Sequence, residues 1–262
     1  KMNNPLISIL IVTHNRKGFF VKCLDAVIRT TSGLDREIII WDNCSTDGTA
    51  EIIKAYAAKH GFIRYNISES NDGVNGKSKA FEMARGSGYI ACLDDDVIEL
   101  PEKWAERMIE AFSLEPELGY LALDVVQNEH TTGAKYPADN YTEKKYPDDI
   151  TLQFGPVGGW AFMIPRVVYE RVGRLRIMRN KIFFAEDGDY ITRCANKGYT
   201  NAILKDVKCF HATGPYYNAD YTEVFDKKMK DFEKGDVDLH RIKRGIQSLY
   251  RRALKKLFGK NR

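Results

Sequence analysis

Residues Tyr89–Trp104 read YIACLDDDVIELPEKW. An apolar run, Tyr89–Leu93, ends on three consecutive acids, Asp94, Asp95 and Asp96. Such a run has the length of a buried strand. In extended backbone Asp94 and Asp96 point to one side and Asp95 to the other. Adjacent carboxylates repel, and a nearby cation relieves that cost. Oxygen donors suit Mg2+ or Mn2+, shared by Asp94 and Asp96, which leaves Asp95 to face a ribose or a base. The alternative is a solvated acidic turn; the strand before it and the topology around it favour the metal. Pro101 followed by Glu102 predicts a helix with Pro at its first position.

Upstream of this stretch, two periods alternate. Leu6–Thr13 (LISILIVT), Glu37–Trp41 (EIIIW) and Phe62–Asn66 read as strands. Phe19–Thr31, Ala50–Lys59 and Lys77–Arg85 read as helices. A β-α-β-α-β-α-β order predicts parallel strands with helices on both faces and ligands beyond the strands' carboxyl ends. Three such ends carry chemistry: Thr13-His14-Asn15-Arg16, Asp42-Asn43 and the acid triplet. All three are expected to face one crevice. Asp42 suits a base N–H or a ribose hydroxyl, whereas Asn15 and Asn43 fit turn formation better on local grounds. The loop Asn71–Lys79 (NDGVNGKSK) enters a helix with two lysines, which suits a phosphate or a solvated helix face. It is not a P-loop, because Asn71 stands where the first glycine is required.

Downstream, Tyr120–Val126 predicts a strand, and polar Gln127–Thr151 a long loop or hairpin. Gly155–Ile164 (GPVGGWAFMI) turns from Gly-rich to apolar, and Arg166–Val172 reads as a short helix. Glu186-Asp187-Gly188-Asp189 opens a helix running to Lys197. A carboxylate there is either a general base in a cleft or a match for the helix dipole. Ala202–Leu204 and Lys208–Phe210 predict two short strands, followed by His211, which matters only if it joins the acids.

The 262 residues are 44% hydrophobic and 29% charged, which excludes a disordered chain, a collagen repeat and a disulfide mini-protein. Five cysteines without CxxC spacing support neither disulfides nor zinc knuckles. With no signal-peptide pattern and no span-length apolar run, a cytoplasmic protein is expected, peripheral to a membrane at most. The formal charge is +4, yet Leu239–Arg262 holds nine Lys/Arg and no Asp or Glu. The remainder is net acidic, which argues against a nucleic-acid partner. Ile242, Ile246, Leu249, Tyr250, Ala253 and Leu257 share one helical stripe. That tail suits the inner, anionic face of a membrane; packing on the protein or forming a homodimer is the alternative.

Taken in order, these segments resemble the family 2 glycosyltransferases. The match is carried by ISILIVTHNR, EIIIWDNCSTDGT, NDGVNGKSKAFEMARG, YIACLDDDVIELPEKW, GGWAFMIPRVVYERVG, FFAEDGDYITRCANKGY and FHATG, over about residues 6–214. The resemblance implies a GT-A-like, Rossmann-like α/β fold: a mixed, mostly parallel sheet plus a C-terminal helical extension. Residues 1–218 would form the catalytic domain, with a nucleotide-binding half (1–100) and an acceptor-side half (101–218), and 219–262 the basic tail. It implies an inverting, metal-dependent transfer from a UDP-, dTDP- or GDP-linked sugar to a glycan or lipid-linked saccharide. Thr13, Asn15 and Asp42 would hold the base and ribose, and Lys79 the diphosphate or base. Asp95 would contact ribose or sugar. Asp94 and Asp96 would bind Mg2+ or Mn2+ against the donor, with His211 as third ligand. Asp187 would be the base, Glu186 its support or an acceptor contact, and Trp160 an acceptor-sugar platform. Lys77 and Lys79 depart from the Ala and the Asn or Arg that many members carry, and Asp42-Asn43 from a double Asp. A nucleotidyltransferase acting on a sugar phosphate and a non-catalytic nucleotide-sugar-binding module are the rival readings; the Glu186-Asp187 pair argues against the second.

Overall fold

Ile7, Ile9, Leu10 and Ile11 are wholly buried because their strand is covered on both faces and paired along both edges. The computed structural model describes residues 7–84, 86–130, 135–177, 185–214 and 216–217. The first half runs β1 (Ile7–Thr13), α1 (Lys17–Thr30), β2 (Arg36–Asp42), α2 (Thr49–Lys59), β3 (Ile63–Ile67), α3 (Asn75–Met83), β4 (Tyr89–Asp94) and β5 (Val97–Glu99). The second runs α4 (Trp104–Leu114), β6 (Leu118–Val125), β7 (Thr142–Lys145), β8 (Thr151–Phe154), β9 (Ala161–Pro165), α5 (Arg166–Val172), α6 (Ala185–Asn196) and β10 (Thr200–His211).

The strand order is β3-β2-β1-β4-β9-β6-β10-β8-β7, with β5 paired to the end of β10. Strands β3, β2, β1 and β4 are parallel in register; β9 enters antiparallel between β4 and β6, and β10 runs parallel to β6. Among the described strands only β9, β8 and β5 oppose the rest, so the sheet is mixed and mostly parallel in direction. The chain steps outward from β1 to β3 and then returns to β4 on the other side of β1. That reversal opens a crevice beyond the carboxyl ends of β1 and β4.

Two expectations change and one open alternative is decided. Helix α4 begins at Trp104, not at Pro101: Lys103 takes a left-handed turn (φ 58°), and the buried Trp104 indole donates to Thr30 Oγ1 at 3.0 Å. The two predicted late strands are one, β10, whose pairing to β6 shifts register between Leu204 and Lys208. The polar stretch 127–151 takes the hairpin of its two expected forms: it contains β7, which pairs with β8. Residues 218–262, including the basic tail and the 218/219 boundary, lie outside the described residues. Among the described residues no helix is long and apolar enough to cross a membrane.

Candidate active site

The end of β1 is pinned to the acid triplet. Thr13 Oγ1 donates to Asp95 Oδ2 at 2.8 Å. Arg16, at the entry to α1, places one guanidinium nitrogen 3.1 Å from Asp95 Oδ1 and 2.8 Å from Asp96 Oδ2. Burial pushes the Asp95 carboxyl up to about 6, although Arg16 draws it down. Burial acts upward on Asp96 too, but His211 and Arg16 outweigh it and hold that carboxyl at about 2.

His211 closes the other side of the triplet. Strand β5 follows Asp96 and pairs with the end of β10, and Ala212 N donates to Asp96 O at 2.8 Å. His211 Nε2 thereby lies 3.0 Å from Asp96 Oδ1 and 3.8 Å from Asp94 Oδ2. Burial pulls the imidazole pKa down, yet Asp96 and Asp94 raise it above the ordinary histidine value. One potential ligand atom from each of Asp94, Asp96 and His211 lies within 4.8 Å of the others. Two carboxylates and an imidazole form a donor set suited to a divalent ion.

The Glu-Asp pair reaches the same crevice through Lys77. Its ammonium, on the first turn of α3, lies 3.2 Å from Asp94 Oδ1, 3.3 Å from Glu186 Oε1 and 4.0 Å from Asp187 Oδ1. Burial pulls the Lys77 pKa down, but Asp187, Asp94 and Glu186 outweigh it and keep the amine charged. Burial pushes Asp187 up to about 7; Lys77 opposes this, and Glu186 and Asp94 add to it. Glu186 Oε2 and Asp187 Oδ1 are buried without a hydrogen-bond partner. Five carboxylates (Asp94, Asp95, Asp96, Glu186, Asp187) face Arg16, Lys77 and His211, so the cluster stays net negative even with His211 protonated. A dication fits that excess charge.

The Gly-Gly-Trp segment forms the floor. Asp94 N donates to Trp160 O at 2.8 Å, which fixes the segment beside the triplet. A Cβ on Gly159 would overlap the Asp187 carboxylate, and one on Gly158 would overlap the Trp160 ring. Trp160 itself is only 4% exposed and its indole N–H donates to Leu123 O at 3.0 Å. This corrects the expected sugar platform: the ring has no free face for an acceptor and packs beneath the segment.

Asp42, Asn15, Asn43 and Lys79 sit at the β1–β2 side of the crevice. Asp42 lies beside Thr13 in register and accepts from Ser45 N and Ser45 Oγ. Asn15, at φ 51°, accepts from Thr46 N at 2.7 Å, joining the loops after β1 and β2. Asn43 Nδ2 donates to Gly73 O at 2.9 Å. Lys79 turns to Asp72 (2.8 Å) and sits over the Trp41 ring, away from the triplet. Asp189 is held by Arg176 and Arg193, which separates it from Asp187 two residues earlier. Sequence reasoning met Arg16 in a loaded strand end and Lys77 in a loop suited to phosphate, but paired neither with the acids. The signal for both was the triplet itself, since three adjacent acids, two of them buried, require cations close in space.

Comparison with known proteins identifies the family and the fold. The model of the family described as Glycosyl transferase family 2 matches residues 8–184. The Escherichia coli chondroitin synthase is 37% identical over 93 residues, 35% of this chain and 13% of that protein. A putative teichuronic acid biosynthesis glycosyltransferase of Bacillus subtilis is 33% identical over 107 residues, 40% of each. The matched stretches thus span less than half of either relative. In fold, the chain is similar to a mannosyltransferase from Pyrobaculum calidifontis solved with GDP-Man and Mn2+ (TM-score 0.63, 16% identity, covering 98% of this chain and 71% of that one). It is also similar to residues 1–349 of S. aureus TarS solved with UDP-GlcNAc (TM-score 0.60, 14% identity, 97% and 74%).

Proposed function

This chain belongs to glycosyl transferase family 2, and on that basis we propose that it transfers a sugar from a nucleotide-diphosphate donor to a saccharide hydroxyl with inversion. One observation carries the reading. Lys77 touches both Asp94 of the triplet and Glu186 of the Glu-Asp pair, with Asp187 beside it. A leaving-group site and a base therefore share one pocket. The nucleotide-sugar and Mn2+ complexes of the fold neighbours support a nucleotide-sugar donor and a dication.

The residues divide the work. Thr13, Asn15 and Asp42 line the nucleotide side, and Thr13 and Arg16 hold Asp95 toward ribose or sugar. Asp94, Asp96 and His211 would hold the dication, which would supply positive charge to the departing diphosphate. Asp187 Oδ1, buried and without a hydrogen-bond partner, accepts the proton of the acceptor hydroxyl. The acceptor oxygen bonds to the anomeric carbon as the opposite bond to the diphosphate breaks, so configuration inverts in one displacement. Glu186 helps hold the base through the shared Lys77.

The acceptor is a growing glycan or a lipid-linked saccharide; the names of the sequence relatives, a chondroitin synthase and a teichuronic acid enzyme, support a polysaccharide. The basic stripe of 239–262 is assigned to an anionic membrane surface. Incubation with a panel of UDP-, dTDP- and GDP-sugars and Mn2+ tests the transfer. Release of nucleoside diphosphate from one donor, abolished by chelation and restored by Mn2+ or Mg2+, is expected. Pyrophosphate release from a nucleoside triphosphate and a sugar phosphate would overturn the reading. Flotation with anionic vesicles, lost at high salt, tests the tail.

A further inference from the structure

The sequence offers Lys77 and Lys79 together to a phosphate, with Lys79 the resemblance's candidate for the diphosphate or base, and it is Lys77 that occupies the pocket. Gly76 explains how it gets there. A Cβ at Gly76 would meet Asn43 Oδ1 at 2.8 Å and Trp41 and Val12 at 3.0 Å, so α3 begins pressed onto the ends of β1 and β2. The next residue then projects over the end of β4. The Lys77 side chain is 12% exposed and its ammonium is ringed by Asp94, Glu186 and Asp187 from two other elements. A lysine so enclosed is not a solvated arm waiting for phosphate. Its charge is already spent on the protein's own carboxylates.

We propose that Lys77 is a positioning residue for the base, an internal ammonium that ties the first turn of α6 to the end of β4 and so sets where Asp187 stands relative to the donor. This rests on the transfer reading above and deepens it. The physical case is mutual repulsion. Asp94, Glu186 and Asp187 converge on one cation, and without it three carboxylates, Glu186 buried and the other two partly so, face one another unscreened by any ammonium. Asp187 Oδ1 has no hydrogen bond to hold it, and its carboxylate lies against Gly159, where only a hydrogen leaves room. Loss of the ammonium lets the Glu-Asp pair recoil from Asp94 and moves the base. It also leaves Asp94 without its 3.2 Å cation, so the triplet and His211 become more attractive to a dication. Turnover and metal affinity are thus predicted to move in opposite directions, which a loosened site cannot do.

The experiment uses the full chain with Lys77→Met, which keeps the buried stem, and Lys77→Gln, which keeps a polar head, should the first fold poorly. Two quantities are read: kcat and donor KM in the transfer assay, and Mn2+ affinity of the donor-free protein by calorimetry. Displacement of the base should lower kcat by about 10²-fold with donor KM little changed. Removal of one nearby positive charge should tighten Mn2+ binding by about tenfold. Wild-type kcat in both variants overturns the proposal. So does a raised donor KM at unchanged kcat, which would make Lys77 a donor ligand, and so does weakened Mn2+ binding alongside lost turnover, which would make it a general packing element. A wild-type protein that transfers no sugar from any donor refutes the transfer reading itself. An active wild type with an unaffected Lys77→Met variant refutes the role of Lys77 alone.

Discussion

The two sides of the crevice treat their polar groups differently. On the β1–β2 side most groups pair with each other: Thr13 with Asp95, Arg16 with Asp95 and Asp96, Asp42 with Ser45, Asn15 with Thr46, while His14 Nδ1 is buried without a hydrogen-bond partner. On the side built by α6 and β10, Glu186 Oε2, Asp187 Oδ1 and His211 Nδ1 are buried without hydrogen-bond partners. Each such atom costs about 1–3 kcal/mol of stability. Such an atom is met by water, an ion or a ligand, or serves in catalysis. The first side is therefore the more complete frame, and we assign the reactive capacity to the second.

Asp187→Asn is the strongest attempt to break this contrast. The amide keeps the shape but cannot accept the proton. Losing a positioned general base is expected to cost about 10²–10⁴-fold in kcat. Binding of the nucleotide diphosphate product should stay unchanged, because its frame is on the other side. Single-turnover kinetics and product calorimetry measure the two. Near-wild-type turnover would remove Asp187 as base.

Gly159→Ala and Gly158→Ala sharpen it with a neighbouring pair. The first new methyl overlaps the Asp187 carboxylate, the second the Trp160 ring. Displacing the base by about 1 Å is expected to cost about 10²-fold in kcat for Gly159→Ala. Gly158→Ala strains packing instead, a loss of about 1–3 kcal/mol in unfolding free energy. Denaturant melts and rate assays on both variants should give these opposite signatures.

The pH profile comes next in size. Asp187 must be ionised to act, so activity rises with pH. Burial first, then Glu186 and Asp94, carry its carboxyl up to about 7 against the pull of Lys77. A bound dication adds positive charge nearby and moves the limb down. The acid limb of kcat/KM should therefore fall between about 4, the ordinary carboxylate value, and 7. Below it, activity should drop about tenfold per pH unit. The limb should be absent from the residual activity of Asp187→Asn.

How far the sequence discloses this arrangement follows the same divide. The parallel strands of the first half are continuous apolar runs whose loops are short, so LISILIVT, EIIIW and YIACL announce both the elements and their chemically loaded ends. The second half depends on pairings between distant segments. Strand β9 inserts between β4 and β6, and three-residue β5 forms only because the end of β10 lies beside it. Such contacts leave no local periodicity. The acids of the site were legible because clustered carboxylates at a strand end are conspicuous. Their partners Arg16 and Lys77 were not, because a lysine on a helix start reads alike whether it faces solvent or a buried acid. Trp160 misled for the converse reason: an aromatic after two glycines looks available, and only packing shows it buried with its N–H on Leu123.

The smallest effect concerns Lys79. It is two residues from Lys77, yet its side chain is 40% exposed and its partner is Asp72. An exposed pair of this kind contributes about 0–1 kcal/mol. Its position over Trp41 adds a cation–π contact of about 0.5–1 kcal/mol at such exposure. Neither contact reaches the triplet or Asp187. Lys79→Ala is therefore expected to leave kcat unchanged and to alter donor KM by no more than about threefold, the equivalent of less than 1 kcal/mol. Donor saturation curves for Lys79→Ala beside Lys77→Met read this directly. A tenfold or larger rise in donor KM for Lys79→Ala would mean that Lys79 leaves Asp72 for the diphosphate when donor binds. The β1–β2 side would then be a moving part, and the contrast between a more complete frame and a reactive wall would no longer hold.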